Sequence, residues 1–225
     1  MEGGKLFWRD CFSSMEEIIY DKYCIPTEYK TNPEYVPLDV SNEITEKTGG
    51  RYQVEVYMKA EELSRLNNCK KILDIGCGSG YKLVKYFIGH DTLGIEVEPN
   101  YSTLTINYPN RRWMMADYSR PLDEEFDMVI CADVLEHVVD PDIIMKYIVN
   151  INPKCIVFST PAREILGEKK HPIMGPPYNR YHIREWTSDE FSDYVSKWFD
   201  VKGVFNKNYY LLTGGILLTL IRKNG

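Results

Sequence analysis

The stretch Lys71-Ile72-Leu73-Asp74-Ile75-Gly76-Cys77-Gly78-Ser79-Gly80 decides the fold. Its first half is a short apolar run carrying one acid near its end, which reads as a buried strand. Its second half puts glycine at every other position, so the backbone can turn tightly and approach a ligand that side chains would hold off. The dinucleotide fingerprint G-x-G-x-x-G would need its third glycine at 81, where Tyr81 stands. The spacing therefore disfavours a nicotinamide oxidoreductase and leaves room for another nucleotide-bearing ligand.

Outward from this loop, short apolar runs alternate with helix-length stretches. Strands are predicted at Thr92 to Ile95, Trp113 to Ala116, Phe126 to Cys131 and Cys155 to Ser159, with helices near 81–88, 100–107, 141–150 and 188–197. Runs apolar on both faces, joined by helices, require a parallel sheet covered on each side, an α/β doubly wound, Rossmann-like arrangement. Upstream, the segment Tyr52 to Leu66 has apolar residues at 54, 56, 57, 60, 63 and 66, the spacing of an amphipathic helix. Asp140 before Pro141, and the capping-box run Thr187-Ser188-Asp189-Glu190, mark two helix starts. The tail predicts two strands, Phe199 to Phe205 and Tyr210 to Ile221, with no helix between them and hence an antiparallel finish.

Residues 1–50 form an expected N-terminal arm and candidate substrate cover, rich in Tyr and broken by Pro26, Pro33 and Pro37, with a short helix over Phe12 to Tyr20. Residues 51–225 form the main domain. Glu96 closes the second strand 20 residues after Gly76 (96 − 76), where a carboxylate can accept both hydroxyls of a ribose. Asp117 and Asp133 close the third and fourth strands, and Asp117 could accept an adenine amino group. Ligands of open parallel sheets bind at the carboxyl ends of the strands, so Asp74, Glu96, Asp117 and Asp133 are expected to face one crevice.

The run Leu73 to Gly80, followed by Glu96, Asp117 and Ala132-Asp133-Val134-Leu135-Glu136-His137, resembles the class I S-adenosylmethionine-dependent methyltransferases over roughly residues 50 to 221. The resemblance implies a seven-stranded, mostly parallel sheet with an antiparallel last strand and S-adenosylmethionine lying across the glycine loop. It implies that Asp74 and the backbone of Gly76, Cys77, Gly78 and Gly80 meet the methionine portion. Glu96 and Val97 would meet the ribose, Asp117 and Tyr118 the adenine, and Asp133 and Val134 the sulfur side. The stretch Gly175 to Trp186 resembles a bacterial subgroup that modifies sugars and surface polysaccharides. A sugar, sugar-nucleotide or polysaccharide hydroxyl is the acceptor this implies, with an amine acceptor or a non-catalytic cofactor-binding partner subunit as alternatives.

About 27 residues, 160–186, separate the fifth strand from Thr187 and contain four prolines. So long a connection at a strand's carboxyl end is expected to be a lid over the acceptor. Gly175-Pro176-Pro177-Tyr178 departs from the Asn/Asp-Pro-Pro-Tyr motif of base-amino methylation, lacking the side-chain carbonyl, and reads as a rigid turn. Methyl transfer to a hydroxyl needs alignment and proton removal, and neutral histidine suits the latter. His182 is the first candidate for that base and His137 the second. Tyr178, Arg180, Arg184 and Trp186 are the candidate acceptor contacts, Trp186 by stacking on a sugar face.

Asp133, Glu136, Asp140 and Asp142 cluster without metal-ligand spacing, so no metal is expected. The six cysteines show no Cys-x-x-Cys pair and read as free thiols, pointing to a reducing, cytoplasmic setting. A net charge of −6 argues against clamping a nucleic-acid backbone. No charged start leads into an apolar signal region, and the most apolar stretch, Leu211 to Ile221, falls short of the ~20 residues that span a bilayer.

Overall fold

A computed structural model describes residues 19–48, 52–167, 173–200, 203–212 and 214–223. Five parallel strands form the centre of the sheet: β1 Lys71–Ile75, β2 Asp91–Glu96, β3 Arg112–Met115, β4 Met128–Ala132 and β5 Cys155–Pro161. The tail adds β6 Phe205–Leu211 and β7 Gly215–Arg222, and β7 inserts antiparallel between β5 and β6. The full order is β3-β2-β1-β4-β5-β7-β6, a seven-stranded, mostly parallel sheet. Strand order reverses about β1, where the sequence turns from β2 and β3 on one side to β4 and β5 on the other. That switch point opens a crevice at the carboxyl ends of the strands.

Alternation along the central strands builds one core on each face. Ile72, Met128, Ile130, Cys155 and Val157 pack with Val56, Tyr57, Ala60 and Leu63 of helix α1 (Val54–Leu66) and Leu83 of α2 (Tyr81–Tyr86). Leu73, Ile75, Val129, Cys131, Ile156 and Phe158 point the other way, onto α4 (Asp142–Ile151) and α6 (Ser188–Ser196); α3 (Asn100–Asn107) joins β2 to β3. Each fully buried aliphatic side chain contributes about 1.5–3 kcal/mol by leaving water, which is why these runs hold the sheet. At α6 the capping box forms: Thr187 Oγ1 accepts from the Glu190 amide, and Glu190 accepts from the Thr187 amide at 2.9 Å.

The tail and the lid differ from expectation. The predicted strand from Phe199 lies six residues too early, because Phe199 and Phe205 are buried anchors at either end of the connection. The edge strand β6 itself is exposed over most of its length and its apolar residues do not alternate, so periodicity does not reveal it. Within the expected lid, Arg163–Gly167 forms a short helix, α5. Ile183, Arg184 and Trp186 of the same segment are buried, so its second half is core rather than a loose cover. The five cysteines among the described residues, 24, 69, 77, 131 and 155, are free and buried. The predicted helix over Phe12 to Tyr20 falls mostly outside the described residues, as does Cys11. No helix among the described residues is long and apolar enough to cross a membrane.

Candidate active site

Gly76, Gly78 and Gly80 all adopt left-handed backbone angles, φ of 70°, 57° and 73°. The turn between β1 and α2 is built from them, and an added Cβ on Gly76 would fall 2.4 Å from Val134 Cγ2. Below the loop, the fully buried Asp74 accepts from the Tyr57 hydroxyl at 2.8 Å, and its Oδ1 has no hydrogen-bond partner. Burial pushes this carboxyl up to about 7. Lys82, mostly buried on α2, has its ammonium lowered by burial against the opposing pull of Asp74, Glu43 and Asp133.

Glu96 bridges the loop to β2. Its Oε2 accepts from the Gly78 amide at 2.6 Å and its Oε1 from the Val97 amide at 2.8 Å. Those bonds hold down a carboxyl that burial otherwise raises. Asp133 ends β4 in a left-handed conformation, φ 53°, and accepts from the Ser159 hydroxyl at 2.6 Å.

These groups border a cavity of about 960 Å³. Gly76, Cys77, Gly78, Glu96, Val97, Tyr118, Asp133 and Val134 line it, as do His137 and His182. The arm closes one side through Tyr35, Val36, Leu38 and Val40. It is tied to the loop and to α3, since Ser79 Oγ donates to the Glu43 carbonyl at 2.9 Å and Asn100 bonds both Leu38 and Val40. Asn32 of the arm also donates to the carbonyl of His182 at 2.7 Å. Val138, Val139, Ile143 and Ile144 give the wall an aliphatic stretch, while Gln53, Lys82, Glu98 and Asp140 are polar members of the same lining.

Several sequence candidates lie off this wall. Asp74 and Gly80 shape the loop from beneath and behind. Asp117 is exposed and folds back onto its own turn, accepting from the Ser119 amide at 3.0 Å. Arg184 is buried, donating to the carbonyls of Val138 and Val139 at 2.6 and 2.8 Å. Trp186 is fully buried, stacks on Tyr194 with centroids 5.7 Å apart, and donates to the Tyr23 carbonyl. Neither side chain can reach an acceptor, because the fold uses the polar end and the flat face of each. Tyr178 and Arg180 are exposed outside the cavity, Arg180 lying over the Tyr181 ring.

The two histidines meet edge to face, with ring centroids 4.8 Å apart. His137 Nδ1 lies 2.8 Å from the Tyr181 carbonyl, so that nitrogen carries the proton and Nε2 is left as an acceptor. Burial and the neighbouring His182 hold its imidazole down to about 4. His182 Nδ1 lies 2.6 Å from Glu185 Oε1, and its Nε2 lies 2.9 Å from the Asn179 amide nitrogen. Behind them the fully buried Glu136 accepts from Thr160 at 3.3 Å through Oε2, while Oε1 has no hydrogen-bond partner and stands 4.0 Å from His137 Nε2. Burial, reinforced by the charge on Asp133, raises the Glu136 carboxyl well above the usual range. Asn179 was not picked out as a site residue in the sequence, Glu136 entered only as one of a cluster of acids without metal spacing, and Glu185 only as a sugar-hydroxyl contact or partner for Arg184. The spacing Asn179-x-x-His182-x-x-Glu185, and the pairing of Glu136 with His137, were the available signals.

A half-buried glycine cradle, a ribose-level carboxylate and a cavity this size fit an adenosine-bearing donor, and the unpartnered Asp74 Oδ1 favours a cationic group above it. Known proteins agree. A 29% identical ubiquinone biosynthesis O-methyltransferase of Methylococcus capsulatus aligns over 67% of this chain and 71% of its own length. Another of that name, from Pseudomonas syringae, is 25% identical over 43% of this chain, and the alignment spans about half, 52%, of the relative. The plantazolicin methyltransferase BpumL, solved with a pentazolic desmethylplantazolicin analogue and S-adenosylhomocysteine, shares the fold at a TM-score of 0.61 with 13% identity, over 81% of this chain and 91% of that one. The methyltransferase domain model matches residues 51–200, more than half of the chain. The chain belongs to the methyltransferase domain family and is an S-adenosylmethionine-dependent enzyme.

Proposed function

We infer that this enzyme methylates a hydroxyl of a small, largely apolar acceptor. The observation that carries the reading is the placement of Glu136, His137 and His182 on the wall of the cavity that also holds the glycine loop. S-adenosylmethionine supplies an electrophilic methyl group when bound. Gly76, Cys77, Gly78, Glu96, Val97, Tyr118, Asp133 and Val134 would hold it, with Asp74 beneath. The chain's remaining work is to orient the acceptor and manage its proton. The histidine pair fits that second task, since both rings are fixed through Nδ1: His137 keeps Nε2 as an acceptor, and His182 does so once the Asn179 amide, 2.9 Å away, releases it.

The sugar acceptor implied by the sequence has lost its proposed contacts, because Tyr178, Arg180, Arg184 and Trp186 all lie off the wall. Val138, Val139 and Ile143 suit a ring or chain with few hydroxyls. The O-methyltransferase names of the two relatives support oxygen over nitrogen as the acceptor atom. The test is a panel of phenols, sugar nucleotides and amines offered with labelled donor. Label in phenols or other apolar alcohols supports the reading, whereas label confined to amines or to sugars overturns it. His182→Ala should keep donor affinity while lowering turnover by about 10²–10⁴.

A further inference from the structure

We propose that Glu136, His137 and His182 form a binding site for one divalent transition-metal cation on the acceptor side of the cavity. One ligand atom from each of the three lies within 4.8 Å of the others, close enough to share a single ion after small side-chain shifts. They come from two distant parts of the chain: a short 3-10 turn, Leu135–His137, after β4, and the segment that precedes α6. The sequence shows no metal spacing because its ligands meet only in the fold.

Three observations point to a cation rather than to packing. Glu136 is fully buried, and its Oε1 is left without a partner although it faces His137 Nε2. An unpartnered buried carboxyl oxygen costs free energy that a cation would recover. Each histidine, moreover, is anchored the way ligating histidines are: His137 Nδ1 on the Tyr181 carbonyl, His182 Nδ1 on the Glu185 carboxylate. In both rings the nitrogen left for a metal is Nε2. Finally, all three residues line the open cavity, so the remaining coordination positions would face an incoming oxygen.

Two imidazoles and one carboxylate favour Mn²⁺, Fe²⁺, Co²⁺ or Zn²⁺ over Ca²⁺ or Mg²⁺. Asn179, which lies against His182 Nε2 at 2.9 Å, must swing aside for the ion. The role of the cation rests on the methyl-transfer reading: with both Nε2 atoms on the ion, the cation would replace the histidines as the means of proton removal, binding the acceptor hydroxyl and lowering its pKa so that the proton leaves to solvent. Binding itself does not depend on that reading.

The test uses the full chain, freed of any histidine tag, stripped with chelator and titrated with Mn²⁺ by EPR without donor or acceptor. One saturable Mn²⁺ per chain is expected, with nitrogen couplings from two imidazoles when histidine is ¹⁵N-labelled. Glu136→Gln should weaken binding at least tenfold, and Glu185→Gln, which only orients His182, by about 10–100-fold. Unchanged calorimetric affinity for S-adenosylhomocysteine identifies variants that remain folded. Should a variant fail to fold, the imidazole couplings of the wild-type protein decide. Absence of saturable binding, or binding without histidine couplings, overturns the site, whether or not the enzyme methylates hydroxyls.

Discussion

The Tyr57 hydroxyl of α1 donates to Asp74 Oδ2 at 2.8 Å, pinning the helix that precedes the sheet to the acid that ends β1. That bond leaves Asp74 Oδ1 unpartnered in a buried place, and the carboxyl rises to about 7. The folded chain therefore keeps a proton that the unfolded chain loses near pH 4, and this contribution to stability disappears as pH rises through 7. Asp74→Asn carries no such charge. The variant should match wild type near pH 4 and exceed it at pH 8, by at most about 4 kcal/mol for a shift of roughly three units. Its donor affinity should fall about tenfold. Thermal unfolding at the two pH values checks the first part, and equal stability at both would refute it.

His137 moves in the opposite direction. Its imidazole is held down to about 4, so the folded state disfavours the charged ring. The stability this group contributes is complete above pH 6.5 and is lost as pH falls through 4, about 3 kcal/mol in all. NMR titration of the ring should show a neutral imidazole down to pH 5. A midpoint near 6.5 would mean that the ring is neither buried nor crowded by His182.

Trp186 distinguishes packing from recognition. It is fully buried, with its indole nitrogen on the Tyr23 carbonyl and its ring on Tyr194. Trp186→Ala should cost about 3–5 kcal/mol of stability. Trp186→Phe should keep the acceptor KM while losing one hydrogen bond, about 1 kcal/mol. A large rise in KM with unchanged melting temperature would restore Trp186 as an acceptor contact.

The parallel centre of the sheet was legible because β1, β4 and β5 are apolar on both faces, and helices separate them. Glu96 and Asp133 were legible as strand-end acids, since position relative to a strand can be read from local pattern. Asp117 shared that pattern but turned to Ser119, a choice made by local hydrogen bonds that periodicity does not carry. Arg184 and Trp186 misled for a related reason: aromatic and cationic side chains suit a ligand and a core equally. The arm's role in closing the cavity depends on long-range bonds such as Asn32 to His182 and Asn100 to Leu38, which leave no local trace. Glu136 stood in view beside His137, yet its unpartnered oxygen became visible only once β4 and the segment before α6 were brought together.

The most direct test of the donor site is calorimetric titration of the purified chain with S-adenosylmethionine and, separately, with NAD. One molecule of S-adenosylmethionine per chain should bind and NAD should not. Glu96→Ala, which frees the amides of Gly78 and Val97 and removes the ribose-level carboxylate, should weaken binding by about 1.5–3 kcal/mol, roughly 10–150-fold. Binding of NAD in place of S-adenosylmethionine, or an affinity for S-adenosylmethionine indifferent to Glu96, would contradict the assignment of the Gly76–Gly80 loop as the donor cradle.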